Sequence, residues 1–129
     1  MGLLTPLKER LFVENWKKHS GDPKQLMANL VAERHLSETQ AQALLKARKN
    51  VIGMLQDVKL AKSLSGTNVE EANHHAAMTV YSRAAEHAIR AGLTSHAKEY
   101  LAKAIQMAKI SGASTDELQV LNNTLNGLK

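Results

Sequence analysis

The sequence contains no cysteine, two prolines and few aromatic residues among its 129 residues. Without cysteine there is no disulfide and no thiolate chemistry, which is compatible with a reducing compartment. Because aromatic residues make up only 3% of the chain, aliphatic residues and methionine must build most of the core. No apolar run approaches the roughly 20 residues that span a bilayer, and the first residues lack the pattern of a secretory signal. We therefore expect a cytoplasmic protein that does not enter a membrane.

Positive charge is concentrated in the first half of the chain. Residues 1–66 carry eleven Lys and Arg against six Asp and Glu, a net charge of +5, whereas residues 67–129 carry six of each and are neutral. We expect one domain, residues 1–129, in which a basic three-helix half precedes a neutral half with a helical hairpin and a short C-terminal helix. An excess of positive charge favours an acidic partner such as nucleic acid.

Helix start signals predict an all-α bundle of about six helices, because no stretch alternates apolar and polar residues as a strand does. Most starts combine an N-cap with a proline or with a capping box. The third helix is expected to be long and central, ending near Leu64, and Gly53 in its middle predicts a bend or a close helix contact. The predicted starts are Thr5-Pro6, Asp22-Pro23, Ser37-x-x-Gln40, residues 67–71, Thr94 or Ser95, and Ser114-x-x-Glu117. The residues expected to be apolar core in the first helix are Leu4, Leu7, Leu11, Phe12, Val13 and Trp16.

Residues 78–112 predict an antiparallel, Ala-rich hairpin of two helices joined at Gly92. Small and large apolar residues recur in each helix at helical spacing, and alanine at such positions lets two helix axes approach closely. These positions are Tyr81, Ala84, Ala85 and Ala88 in the first helix and Ala97, Leu101, Ala104 and Ala108 in the second.

The hairpin resembles one tetratricopeptide repeat, a helix–turn–helix unit of about 34 residues. Tyr81 stands at the large aromatic position and Gly92 at the turn, whereas Ala88 and Lys109 replace the usual second aromatic residue and the closing proline. A single unit of this kind leaves an apolar side to cover. The resemblance therefore implies self-association, as a homo-oligomer, or a protein partner. A plain Ala-rich hairpin inside a bundle fits the same residues.

The function expected from this pattern is non-enzymatic interaction or adaptor activity. The hairpin and the long third helix would frame a groove for a partner helix or peptide. Both tyrosines also fit core packing with the hydroxyl at the surface. The candidate partner-binding residues are Tyr81, Arg83, His87, Arg90, Tyr100 and Lys103.

The alternative is a small nucleic-acid-binding protein. Residues 30–45 resemble a helix–turn–helix, with Val31, Leu36 and Ala41 at its buried positions, although His35 replaces the usual turn glycine and Arg34 occupies a normally apolar position. The glutamines could contact adenine edges and the basic residues could contact phosphates. The candidate residues are Lys17, Lys18, Lys24, Gln40, Gln42, Lys46, Arg48 and Lys49.

No pattern selects a catalytic or metal site. Glu71-x-x-His74 has the spacing found in di-iron helices, but such centres need two of these motifs with further carboxylates. Acidic residues at this place are better interpreted as complements to the helix dipole. The seven glycines are isolated, so no phosphate-binding loop is present. We therefore expect neither an enzyme nor a bound metal or cofactor.

Overall fold

The computed structural model describes residues 4–19, 21–65 and 73–128. Within these ranges the chain is all helical, which confirms the all-α prediction, and no described helix is long and apolar enough to cross a membrane. The seven helices of the described ranges are α1 (Pro6–His19), α2 (Pro23–Ala32), α3 (Glu38–Lys46), α4 (Arg48–Ser65), α5 (His74–Arg90), α6 (Thr94–Ser111) and α7 (Thr115–Gly127).

Side-chain capping explains where most of these helices begin. In five of them the residue at the start accepts a hydrogen bond from the backbone N–H three residues later, as N-cap side chains do. The start predicted at residues 67–71 lies outside the described residues. The capping residues, each with the distance from its side-chain oxygen to the backbone nitrogen three residues later, are Thr5 (3.3 Å), Asp22 (3.2 Å), Ser37 (3.1 Å), Asn73 (2.9 Å) and Ser114 (3.2 Å).

The predicted long third helix is divided into α3 and α4 at Ala47. This residue ends α3 with φ −89° and ψ 11°, and α4 begins at the next residue. Helix α3 packs against α2, whereas α4 packs against α5. The two segments have different packing partners, which accounts for a break that neither proline nor glycine marks in the sequence.

The predicted hairpin is confirmed as α5 and α6. Gly92 has a positive φ of 78°, and the N–H of Leu93 donates to the carbonyl of Ala88 at 2.8 Å, so α5 ends in a Schellman motif. All eight apolar positions predicted for the hairpin are no more than 5% exposed. Helix α5 packs on α4 as well as α6, and α7 packs on α6. The chain itself thus covers these alanines.

The apolar core is continuous from Leu4 to Leu121. In α1, Phe12, Val13 and Trp16 are at most 2% exposed, as expected. Leu7 was expected in the core but is 76% exposed. The helical repeat explains the difference, since positions 9, 12, 13 and 16 form the buried face of α1 and position 7 lies outside it.

Candidate functional site

A cleft of about 700 Å³ lies between α1, α4 and α6. Each helix contributes residues three or four positions apart, which lie on one face of a helix. The cleft is therefore bounded by three helical faces. Its lining residues are Arg10, Glu14 and Lys17 from α1, Leu55, Val58, Lys59 and Lys62 from α4, and His96, Glu99, Tyr100 and Lys103 from α6.

Positive charge dominates this cleft, with five Lys and Arg side chains against two carboxylates. Both carboxylates are paired locally, since Glu14 lies 3.4 Å from Lys17 and Glu99 lies 3.8 Å from Lys103. These pairs are largely exposed and hold their partners weakly. Within the described ranges, the other three cations make no ion pair. These cations are Arg10, Lys59 and Lys62.

Apolar groups line the cleft between its charges. Leu55 and Val58 come from α4, and Tyr100, which is 5% exposed, comes from α6. Burial, with a smaller effect of the Glu99 and Glu9 charges, raises the pKa of Tyr100 above its ordinary value. The tyrosine is therefore neutral at physiological pH and contributes an apolar ring.

Glu9 joins α1 to the first turn of α6 from behind the cleft. Its carboxylate is 0% exposed and accepts the backbone N–H groups of Ser95 at 3.1 Å and His96 at 2.6 Å. The Nδ1 of His96 lies 2.6 Å from the same carboxylate. Because α6 has no capping side chain of its own, a residue 86 positions away supplies the acceptor that its exposed N–H groups need.

A second polar cluster lies where α4 packs on α5. The Asp57 carboxylate accepts two hydrogen bonds from the Arg83 guanidinium, at 2.9 and 3.0 Å. These bonds, with the charge of Asp57, raise the pKa of Arg83. Asp57 also lies 3.5 Å from His87 Nε2, while His87 Nδ1 lies 3.1 Å from Asn50 Oδ1. The cluster ties the two helices together.

The predicted partner-binding residues are divided between these two places. Tyr100 and Lys103 line the cleft, and the Lys103 ammonium lies 5.8 Å from the centroid of the buried Tyr81 ring. Arg83 and His87 instead bind α4, as just described. Arg90 is exposed in the last turn of α5 and is not part of the cleft lining. Two of the six predicted residues thus line the cleft.

The predicted nucleic-acid residues do not line one common pocket. Lys17 lines the cleft, Lys24 and Arg48 line a small separate pocket, and Gln42 lines an apolar groove of about 420 Å³ between α2 and α3. Gln40 accepts the backbone N–H of Ser37 and completes the capping box of α3. The remaining candidates lie outside the cleft and are exposed: Lys18, Lys46 and Lys49.

The α2–α3 turn also departs from the helix–turn–helix prediction by one residue. Arg34, rather than His35, has the left-handed conformation, with φ 62°. The N–H of His35 donates to the carbonyl of Leu30 at 2.9 Å, and that of Arg34 donates to Val31 at 3.0 Å. Helix α2 therefore ends in a Schellman motif whose left-handed position carries arginine instead of glycine.

Within the described ranges, no three His, Asp or Glu side chains come together as metal ligands do. Glu71 lies outside these ranges, so the predicted Glu71-x-x-His74 spacing is not described.

Several cleft residues were not identified as site residues from the sequence, namely Arg10, Glu14, Lys59, Lys62, His96 and Glu99. Glu9, which contacts His96, was not identified either. A signal existed within each helix, because Arg10, Glu14 and Lys17 recur at helical spacing, as do Leu55, Lys59 and Lys62. What the sequence lacked was any indication that these faces meet. The faces of α1 and α4 come together because α1 packs on α6 and α4 packs on α5, the other helix of the hairpin.

No family model matches this chain, and no curated protein or solved structure matches it. The function of the cleft therefore has to follow from its own geometry and charge. It offers cations and an apolar surface side by side, which suits a ligand that is both acidic and apolar.

Proposed function

We propose that this chain is a non-enzymatic interaction protein that binds an acidic, amphipathic segment of a partner protein in the cleft between α1, α4 and α6. The observation that carries the proposal is the arrangement of five cations around an apolar lining. A helix or peptide with apolar residues on one side and carboxylates on the other would place its apolar side against the half-buried Leu55 and the small exposed parts of Val58 and Tyr100. Its carboxylates would meet Arg10, Lys59 and Lys62, which have no ion pair within the described ranges.

Electrostatic complementarity of this kind acts mainly on association rate and specificity. The cations are largely exposed, so their attraction for a ligand falls as salt screens it. Apolar burial against the cleft lining would supply the part of the affinity that salt does not remove. We also propose a cytoplasmic location, with which the cysteine-free composition is compatible.

A protein segment suits the cleft better than single-stranded nucleic acid, because the cleft exposes almost no aromatic surface. Single-stranded nucleic acid is usually held by aromatic rings on which bases stack, but the Tyr100 ring is 5% exposed and offers no such platform.

The test uses fluorescence anisotropy with three labelled probes. The first is a peptide of about 18 residues with leucines at helical spacing on one face and glutamates elsewhere. The second replaces every glutamate by lysine, and the third is a short DNA duplex. We expect the glutamate peptide to bind, the lysine peptide not to bind, and the duplex to bind more weakly than the glutamate peptide.

Charge-reversal variants locate the binding surface. K59E/K62E should weaken binding of the glutamate peptide by about tenfold or more, because it removes two cleft cations and adds two repulsive charges. K46E/K49E makes the same change in net charge outside the cleft and should leave this binding nearly unchanged. Circular dichroism of each variant checks that the helices are retained.

The results separate the possible classes. Failure of the glutamate peptide to bind, or equal weakening by both variants, would overturn the cleft assignment. Tight duplex binding that K46E/K49E abolishes would instead support the nucleic-acid alternative. Sedimentation of the protein alone tests the homo-oligomer expected from the sequence.

A further inference from the structure

His96 belongs both to the cleft lining and to the contact that holds α1 on α6. Its side chain is 13% exposed, and its Nδ1 lies 2.6 Å from the buried carboxylate of Glu9. Its ring also lies against Tyr100, with the two ring centroids 6.0 Å apart. The position of the imidazole is therefore fixed from two sides.

Glu9 determines which nitrogen of this imidazole carries a proton. The Glu9 oxygen that accepts the backbone N–H of His96 also lies against Nδ1, so Nδ1 donates in this contact. That leaves Nε2 as the second position at which the ring can carry a proton. A proton there would add a cation to the cleft.

We propose that His96 makes the cleft a proton-linked binding site, which binds its acidic ligand more tightly as the pH falls. This inference rests on the proposed function of the cleft. A bound carboxylate segment adds negative charge beside the imidazole and favours its protonated form. By thermodynamic linkage, protonation then favours the bound ligand by the same factor.

When the cleft is empty, the cations and the carboxylates around His96 have opposite effects on its protonation. The cations of the cleft disfavour a further positive charge, whereas the carboxylates favour it. An acidic ligand neutralises the cations and so removes their opposition to protonation. Glu9 on α1 and Tyr100 on α6 contact His96. The other titratable and charged groups of the same cleft are Arg10, Glu14 and Lys17 on α1, Lys59 and Lys62 on α4, and Glu99 and Lys103 on α6.

The experiment measures the affinity of the glutamate peptide at about pH 7.5 and about pH 5.5. Histidine changes its charge across this range, while most glutamates remain ionised. We expect binding to be about fivefold or more tighter at the lower pH in the native protein. His96→Gln should bring the ratio of the two affinities close to one. His19→Gln, an exposed histidine outside the cleft lining, should keep the native ratio.

A measurement on the native protein guards against loss of structure in the His96 variant. Nuclear magnetic resonance of the imidazole carbon-bound protons follows the titration of His96 directly. We expect its midpoint to move to higher pH when the glutamate peptide is bound, and an unchanged midpoint would overturn the inference.

The two proposals fail in different ways. No binding of the glutamate peptide at either pH removes the proposed function of the cleft. Binding whose pH ratio is the same in the native protein and in His96→Gln leaves that function standing and rejects proton linkage through His96.

Discussion

Gly53 on α4 lies directly against the imidazole of His87 on α5. A Cβ atom at position 53 would lie 2.9 Å from Nε2 of this ring and 3.0 Å from Cε1. The glycine thus allows His87 to stay within reach of Asp57 and Asn50. The sequence predicted a bend or a close helix contact at Gly53, and the contact is confirmed.

Gly53→Ala should therefore have opposite effects in two backgrounds. In the native chain the new methyl displaces His87 from its polar partners, which costs more than alanine gains in helix propensity. We therefore expect the free energy of unfolding to fall by about 1 kcal/mol. In a His87→Ala background the methyl meets no ring, so the same substitution should stabilise by about 1 kcal/mol. Urea unfolding measures both values, and equal effects in the two backgrounds would contradict the contact.

Arg34→Gly should stabilise the protein by about 1 kcal/mol, because arginine at φ 62° carries a steric strain that glycine lacks. Arg34→Ala is the matched control, since it removes the long side chain but retains the Cβ atom. Thermal and urea unfolding compare the three proteins. Equal stabilisation by alanine and glycine would show that the side chain, rather than the backbone conformation, causes the effect.

Glu9→Ala should destabilise the protein by about 3 kcal/mol, because it leaves two part-buried N–H groups at the start of α6 without their acceptor. Glu14→Ala is the control on the same helix. It removes an exposed carboxylate paired with Lys17, and the expected change is within about 0.5 kcal/mol. Similar losses in both variants would show that the Glu9 contacts to α6 add little to stability.

Close packing of α5 and α6 requires small residues at their contact. Ala104→Leu forces a larger side chain into a site that is 0% exposed. We expect the free energy of unfolding to fall by about 3 kcal/mol. Ala102→Leu makes the same change at an exposed position of the same helix and should be nearly neutral. Chemical unfolding of both variants provides the comparison, and tolerance of leucine at position 104 would contradict the tight hairpin.

Tyr100 should make the protein less stable at alkaline pH. Burial raises the pKa of Tyr100 in the folded state, so its contribution to stability is complete below the ordinary tyrosine value of about 10 and is lost as the pH rises above it. The free energy of unfolding should fall more steeply above this pH in the native protein than in Tyr100→Phe. In a Tyr81→Phe variant, ultraviolet titration should show the remaining tyrosine ionising only at higher pH. An ordinary midpoint would contradict burial of Tyr100.

Much of the local structure follows from residues only three or four positions apart. An N-cap hydroxyl or carboxylate meets a backbone N–H in the next turn whatever the rest of the chain does, which is why the starts at Asp22, Ser37 and Ser114 could be predicted. The alanine positions of the hairpin could be predicted for a similar reason. Their spacing places them on one face of each helix, and small residues on a face indicate a close partner.

The sequence by itself determined the helical class, most helix starts and the apolar faces. Only the tertiary structure decided which faces meet, so it alone produced the break at Ala47, the cap that Glu9 supplies to α6, and the cleft. The physical reason is that helical periodicity shows that a face must be covered without showing which helix covers it. The hydrogen bond between Glu9 and Ser95, which are 86 positions apart, forms only once packing of the core has brought the two residues together.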